Sequence, residues 1–156
     1  MAVAANVEIF RFSIQGLEEN LAVLPKDGLM PRRPGWPGAA LRFAGEEAIS
    51  RIYRYSVEVV SEDPQLGIAG LIGTAACLTL LDADESEQRY LHGIIEQAQR
   101  LDQGVRLSRY RFELVPQLQM LASKSNCRIY QNQSIPSILK QLLEEIGISA
   151  DRYRMQ

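Results

Sequence analysis

The feature that most constrains the fold of this chain is an alternation of apolar and polar residues that recurs in separate stretches. In FRFSI (10–14), apolar residues alternate with Arg11 and Ser13. The same two-residue period recurs in LRF (41–43), YRYSVEV (53–59), LTL (78–80) and YRFEL (110–114). Successive side chains of a strand point to opposite faces, so each stretch predicts a strand with one apolar and one polar face. That pattern is typical of an antiparallel sheet around a core.

The C-terminal quarter has the period of a helix instead. Ser134 is a predicted N-cap, and Gly147 is placed to end the helix in a left-handed conformation. The apolar residues between them follow helical spacing: Ile135, Ile138, Leu139, Leu142, Leu143 and Ile146. A shorter helical turn is predicted from Pro116, with Leu118 and Leu121 buried. Because strands precede helices without βαβ alternation, we predict a mainly β fold, α+β overall.

Three stretches between the predicted strands have the composition of loops. PKDGLMPRRPGWPG (25–38) contains four prolines and three glycines, which excludes a regular helix or a central strand. Trp36 within it is expected either to pin the loop to the body of the domain or to touch a partner. DADESE (82–87) and LDQGV (101–105) are predicted hairpin loops.

Composition and charge exclude several classes of protein. The chain has 156 residues, of which 46% are hydrophobic and 23% charged, so it is not a disordered chain. The net charge of −2 gives no long-range attraction for phosphates, and we expect no nucleic-acid partner. One group of arginines is diluted by acidic residues and has no interleaved aromatics. Those arginines are Arg100, Arg106, Arg109 and Arg111, and the acidic residues are Asp102 and Glu113.

Neither a targeting segment nor a membrane span is predicted. The N-terminal MAVAANVEIF has no basic region, and Glu8 interrupts its apolar stretch. The longest uncharged apolar run, LGIAGLIGTAACLTLL (66–81), is shorter than the roughly 18 residues of a membrane helix. We therefore expect no stable membrane insertion, and we predict a buried strand entered through a short turn or helix.

Motifs for phosphate or calcium binding are incomplete. Gly67, Gly70 and Gly73 do not have the spacing of a dinucleotide-binding loop, and they enter a predicted strand rather than a long helix. The acidic residues of 82–87 lack the glycine and glutamate positions of an EF-hand. A solvated hairpin tip accounts for these charges.

The residues best suited to catalysis or metal binding are few. Cys77, His92 and Cys127 are the soft ligands of the chain, and they lie far apart in sequence. His92 lies in the middle of a predicted strand, where we expect a packed or hydrogen-bonded side chain. Both cysteines are expected to be reduced and unpaired. We therefore predict no catalytic, cofactor-binding or metal-ligating residues.

A resemblance to a known family extends over nearly the whole chain. The segments that carry it are FRFSIQG (10–16), LRFAGEEAISRIYRYSVEVVSED (41–63), LIGTAACLTL (71–80), RYLHGIIEQAQRL (89–101), SRYRFELVPQLQML (108–121) and NCRIYQNQSIPSILKQLLEEIGI (126–148). The most specific is GEEAIS (45–50), followed by an aromatic strand. In these residues the chain resembles the N-terminal region of VgrG, the spike protein of bacterial type VI secretion systems. Two departures concern loops: the stretch 25–38 is longer than usual, and Ile52 replaces a common proline.

The resemblance implies a fold and a division of the chain. It implies an antiparallel β-barrel similar to that of the tail hub of contractile bacteriophages, followed by short helices. Residues 1–116 would form this barrel, and residues 117–156 would be the helical start of the following hub segment. A closed barrel also removes strand edges that would otherwise template aggregation.

The resemblance also implies a structural function rather than an enzymatic one. The protein would be a homotrimeric hub that joins the hexameric Hcp tube to a puncturing needle and helps to deliver effectors. Spike-tip and effector proteins would be further partners, and no cofactor is implied. The protein would reside in the bacterial cytoplasm before firing and then leave through the secretion apparatus. The alternatives are a baseplate hub of a phage or prophage tail, and a hydrolase acting on lipid or cell wall.

Overall fold

A computed structural model describes residues 10–17, 38–61, 63, 65–81, 87–103, 108–125 and 127–155. The chain divides into two compact units, Met1–Val115 and Pro116–Gln156. Most of the predicted loop 25–38, including Trp36, lies outside the described residues. The same holds for residues 82–86 and 104–105 of the two predicted hairpin loops.

Among its described residues, the first unit contains one antiparallel sheet of six strands. The strands are β1 (Phe10–Ile14), β2 (Gly38–Glu46), β3 (Arg54–Ser61), β4 (Ala75–Leu81), β5 (Glu87–Gln103) and β6 (Ser108–Val115). Their order across the sheet is β1-β4-β5-β6-β3-β2, and every neighbouring pair is antiparallel. The prediction of a mainly β, antiparallel fold is confirmed.

One face of the sheet carries the core that the alternation predicts. The burial of β1 alternates strictly between its apolar and polar residues. Most of the side chains with essentially no exposure are apolar, and they include Phe12, Val57, Val59, Leu78, Ile95, Phe112 and Leu114. A short 3-10 turn, Ile68–Leu71, packs Leu71 against the same core and leads into β4. The buried strand entered through a short helix is thus confirmed.

The sheet is curled into a half-barrel, and irregular pairing along β5 contributes to this curl. This strand of 17 residues pairs first with β4 and then with β6. Its pairing with β6 is interrupted by irregularities at Ile95/Gln97 and Arg100/Asp102, and such bulges bend a strand and increase its twist. The curl brings the two outer strands together, with ring centroids of Phe10 and Phe43 4.9 Å apart. Among the described residues, no hydrogen-bonded ladder joins β1 to β2.

The second unit is helical. It contains α1 (Gln119–Ala122), α2 (Ile135–Glu144) and a 3-10 turn (Ala150–Arg152). The Ser134 hydroxyl accepts a hydrogen bond from the Ser137 N–H, as expected of an N-cap. Gly147 has φ of +77°, and the N–H of Ile148 bonds back to the Leu143 carbonyl at 2.9 Å, which is the Schellman arrangement. Both predicted helix ends are confirmed.

The predicted burial of the helices is wrong in part. Leu118 is 41% exposed, and no residue of α1 or α2 is buried. On the apolar face of α2, Ile135 and Leu139 are exposed, so this face is uncovered at those positions. Ile146, which follows the end of α2, is buried, and its carbonyl accepts a hydrogen bond from the Gln117 amide at 2.6 Å.

None of the described helices has the length and apolar character that crossing a membrane requires.

Candidate functional site

The segment GEEAIS (45–50) covers the end of β2 and the start of the connection to β3, and its first residue has a steric role. Gly45 lies opposite Tyr55 in the β2–β3 register. The Tyr55 ring covers this position so closely that a Cβ on Gly45 would lie 2.1 Å from the ring. Any side chain at Gly45 would therefore displace the aromatic ring from the core.

Glu47 fixes the same segment to two strands. Its carboxylate accepts a hydrogen bond from the Tyr55 hydroxyl at 2.7 Å, and both its oxygens lie 2.6 Å from the Arg89 guanidinium. The bond from Arg89 lowers the pKa of Glu47, and the bond from Tyr55 adds to this effect. Burial, together with the bond to Glu47, raises the pKa of Tyr55 to about 12. A hydroxyl that remains protonated continues to donate to Glu47 at physiological pH.

Beyond the contacts of Glu47 with Tyr55 and Arg89, the β2–β3 connection projects into solvent. Ile49 is 97% exposed, and Ser50 has a left-handed φ of +63°. The connection borders a shallow open depression of about 430 Å³, lined by Glu47, Ala48, Ile49, Arg51 and Tyr53. The Tyr53 hydroxyl donates to the backbone carbonyl of His92 on β5. The exposed side chain of Ile49 thus lies in a connection whose neighbouring residues, Glu47 and Tyr53, are held in place by polar contacts.

A second cluster lies on the face of the sheet opposite the core. Glu58 of β3 lies directly opposite Arg42 of β2 and Arg111 of β6, and Arg109 lies two residues before Arg111 in β6. The Glu58 carboxylate accepts bonds from Arg42 at 2.7 Å, Arg109 at 3.1 Å and Arg111 at 2.6 and 3.2 Å. The residue is only 3% exposed, although it occupies a polar position of the alternation.

Electrostatics keeps Glu58 ionised. The hydrogen bond from Arg42 is the largest effect, and with those from Arg111 and Arg109 it outweighs desolvation and lowers the pKa of Glu58 to about 2. One carboxylate faces three guanidiniums, so the group Arg42, Glu58, Arg109 and Arg111, here called the arginine cluster, carries a formal charge of +2. The arrangement can cross-link strands and bind anions.

The structure places His92 and the cysteines away from any such cluster. The His92 side chain is exposed, and its ring stacks with Tyr90 at a centroid distance of 6.1 Å, so its packing is with a surface ring rather than the core. Cys77 lies opposite His92 in the β4–β5 register and is half-buried, while Cys127 is exposed. Both are free thiols. Within the described ranges, no group of three or more His, Cys, Asp or Glu residues is arranged to hold a metal ion.

The remaining sequence candidates fall into different environments. Gly73 has φ of +82° in the turn before β4, and Gly67 and Gly70 flank or lie in the 3-10 turn, as expected of a strand entry. Of the four clustered arginines, Arg109 and Arg111 bind Glu58, and Arg106 lies outside the described residues. Glu58 has no signal in the sequence that marks it as a site, because its partners come from separate strands that only the sheet brings together.

The fold and its polar clusters define the class of protein: a structural domain built on a curled antiparallel sheet that is cross-linked by ion pairs. The chain belongs to the phage tail baseplate hub (GPD) family, whose model matches residues 46–156. The resemblance seen in the sequence segments is therefore confirmed.

Individual relatives and one solved structure extend this relationship. The type VI secretion system spike protein VgrG4b of Pseudomonas aeruginosa is 38% identical over 152 residues, which are 97% of this chain and 16% of the relative. The actin cross-linking toxin VgrG1 of Vibrio cholerae is 33% identical over 116 residues, covering 69% of this chain and 10% of the toxin. This chain therefore spans about a sixth or less of these relatives.

One structural neighbour is the E. coli c3393 protein. It is described as a component of the type VI secretion system with structural similarity to the T4 bacteriophage tail proteins gp27 and gp5. Its fold matches with a TM-score of 0.65 and 25% identity, over 93% of this chain and 33% of that one. The agreement extends the family relationship to three-dimensional structure.

Proposed function

We propose that this chain is the N-terminal hub region of a type VI secretion spike and acts as a structural component, not as an enzyme. The observation that carries the proposal is the 38% identity to a spike protein across 97% of the chain. The curled sheet and its match to a secretion component of similar fold support it. The toxin relative matches over only 10% of its length, so its activity is not transferred to this chain.

The proposal extends to the organisation of the region. Residues 1–116 constitute the tail-hub-like barrel domain, and residues 117–156 are the start of the following hub segment. In the complete protein we propose that the barrel is closed near the contact of Phe10 with Phe43, where the two outer strands approach. No residue of this region has a catalytic, cofactor-binding or metal-binding role.

The contacts between strands suit a structural part that must keep its shape when the apparatus fires. Glu58 links β3 to both of its neighbours, because its carboxylate binds arginines of β2 and β6. Arg54 of β3 forms an ion pair with Glu96 of β5, which lies beyond β6. Side-chain bonds between strands add resistance to the sliding of one strand past the next. Buried or networked ion pairs contribute more to this resistance than isolated surface pairs.

The proposed partners follow from this role. Three copies form a ring that sits on the hexameric Hcp tube, and the ring carries the needle, the spike tip and the effector proteins. The protein assembles in the bacterial cytoplasm and leaves it when the apparatus fires. The membrane is punctured by the needle, and this region itself is not inserted.

The test is a mass measurement on the full-length protein, alone and mixed with Hcp. Light scattering at micromolar concentration is expected to give three copies alone, and a larger species containing both proteins after mixing. A monomer in the first measurement would contradict the trimer. Separate elution from Hcp in the second would contradict the role in the secretion spike.

The alternative function is a baseplate hub of a phage or prophage contractile tail. The family match favours it as a second candidate, since the family is that of phage tail baseplate hubs. Such a protein would also be trimeric but would not bind Hcp. Trimers without Hcp binding, in a gene neighbourhood of tail-fibre genes, would favour this alternative.

A further inference from the structure

The arginine cluster contains more positive charge than its one carboxylate neutralises. One buried carboxylate is neutralised by one guanidinium, yet Glu58 binds three. Arg42 and Arg111 both donate to its Oε1, and Arg109 donates to its Oε2 at 3.1 Å. Like charges held together repel, so a cluster with formal charge +2 is a local cost to folding. An excess of this kind is expected where an external anion binds.

The three guanidiniums are held in place and yet remain accessible. Their side chains are 69%, 45% and 37% exposed for Arg42, Arg109 and Arg111. Each guanidinium has five N–H donors, and the bonds to Glu58 use one each of Arg42 and Arg109 and two of Arg111. Because Glu58 already fixes the planar guanidiniums, the arginine side chains would lose little additional conformational entropy when a ligand binds them.

The neighbouring charges restrict the size of the anion. Asp102 of β5 lies opposite Arg109 in the register, and Glu113 follows Arg111 two residues along β6. These carboxylates flank the cluster and would repel a long polyanion that extends beyond it. The site therefore suits one or two carboxylates of a protein rather than a chain of phosphates.

We propose that the arginine cluster is a docking site for a short acidic segment of a partner protein, whose carboxylates bind Arg42 and Arg109 while Glu58 holds both guanidiniums in position. Arg–carboxylate pairs are often bidentate, which makes such contacts specific as well as favourable. The inference holds equally for a secretion spike and for a phage hub. It adds to the proposed function a surface and the chemistry of its partner.

A binding assay with defined probes tests this. The 156-residue chain is titrated into a fluorescein-labelled peptide of alternating serine and glutamate, whose carboxylates repeat with the period of a strand. The matched probes are the same peptide with glutamine for glutamate, and a labelled oligothymidylate. We expect the acidic peptide to bind at low ionic strength, the glutamine peptide not to bind, and the oligothymidylate to bind more weakly than the acidic peptide.

Variants locate the binding. Arg42→Gln and Arg109→Gln are each expected to weaken peptide binding about fivefold, the scale of one exposed charge contact. Arg54→Gln is the control, because Arg54 lies on the same face of β3 but outside the cluster, and it is expected to change binding less than about twofold. If the glutamine variants unfold, Arg42→Lys and Arg109→Lys take their place. They keep the charge but lose the planar fork, so each should bind the peptide more weakly than the unsubstituted chain without losing binding.

Three results would overturn the proposal. The first is no binding of the acidic peptide by the folded chain. The second is an equal loss of affinity in Arg54→Gln and the two cluster variants. The third is tighter binding of the oligothymidylate than of the peptide, which would make the surface a phosphate site.

Discussion

Replacing Glu58 by glutamine removes one charge from the protein and leaves the shape of the side chain almost unchanged. The substitution leaves three arginines without their counter-ion at a position only 3% exposed. Removing one partner of a buried ion pair is strongly destabilising, because the remaining charge is left uncompensated. We expect Glu58→Gln to reduce the free energy of unfolding substantially at neutral pH.

The magnitude follows from the proton affinity of the carboxylate. The three arginines, Arg42 first, lower the pKa of Glu58 from 4.5 to about 2. Each tenfold change in proton affinity corresponds to about 1.36 kcal/mol, so ionised Glu58 contributes roughly 3 kcal/mol to stability. Because the folded pKa lies below the unfolded one, this contribution is complete above about pH 4.5 and is lost as the pH falls toward 2.

Urea unfolding followed by far-UV circular dichroism measures this at a series of pH values. At pH 7, Glu58→Gln is expected to unfold with about 3 kcal/mol less free energy than the unsubstituted chain. Toward pH 2 the two curves should converge, because protonated glutamic acid resembles glutamine in shape and charge. Glu113→Gln is the matched control on the same sheet face and should show only a small difference at either pH.

A difference between the two proteins that stays constant from pH 7 to pH 2 would contradict this prediction. Equal destabilisation of Glu113→Gln and Glu58→Gln at pH 7 would contradict it as well. Either result would mean that the arginine cluster does not hold an ionised carboxylate in the folded protein.

Two further predictions follow from close packing and from exposure. Gly93→Ala is expected to cost about 1–3 kcal/mol, because its Cβ would lie 2.4 Å from the Val115 carbonyl oxygen. Gly70→Ala, with nothing within 4 Å, should unfold at nearly the same urea concentration as the unsubstituted chain, and equal loss in both variants would contradict the close approach of β5 and β6. In a timed thiol titration of the native chain, exposed Cys127 should react before half-buried Cys77, and the reverse order would contradict the structure.

The strands could be predicted from the sequence because alternation is a local property. Phe10, Phe12 and Ile14 repeat every two residues, and all three are buried in β1. The ends of α2 were equally local, since Ser134 and Gly147 cap it through bonds to nearby backbone groups. Residues within a few positions of one another decide both features.

The strand order and the arginine cluster could not be predicted in this way. Arg42 and Arg111 are 69 positions apart in the chain, and only the pairing of β3 with both β2 and β6 brings them to Glu58. Each looks like an ordinary charge on a solvated strand face when the sequence is considered alone. The burial of Glu58 is a consequence of sheet topology, and topology depends on contacts between distant segments.

The apolar face of α2 illustrates a different limit. Its period correctly predicts the helix, but Ile135 and Leu139 are exposed in this chain. An amphipathic pattern indicates that a face is suited to burial, without identifying what covers it. The proposal that 117–156 begins a further hub segment accounts for the exposed face, because the rest of the complete protein would cover it.

The proposed scaffold role, as opposed to a catalytic one, can be tested by secretion from living cells. The measurement is the amount of Hcp released into the medium by bacteria carrying variants of the full-length protein. Leu142→Asp, on the apolar face of α2, should abolish release, whereas Gln141→Asp adds the same charge at the exposed neighbouring position and should preserve it. His92→Gln, which removes the only imidazole of the chain, should also preserve release. Loss of release in His92→Gln at normal protein levels, with release retained in Leu142→Asp, would contradict the account.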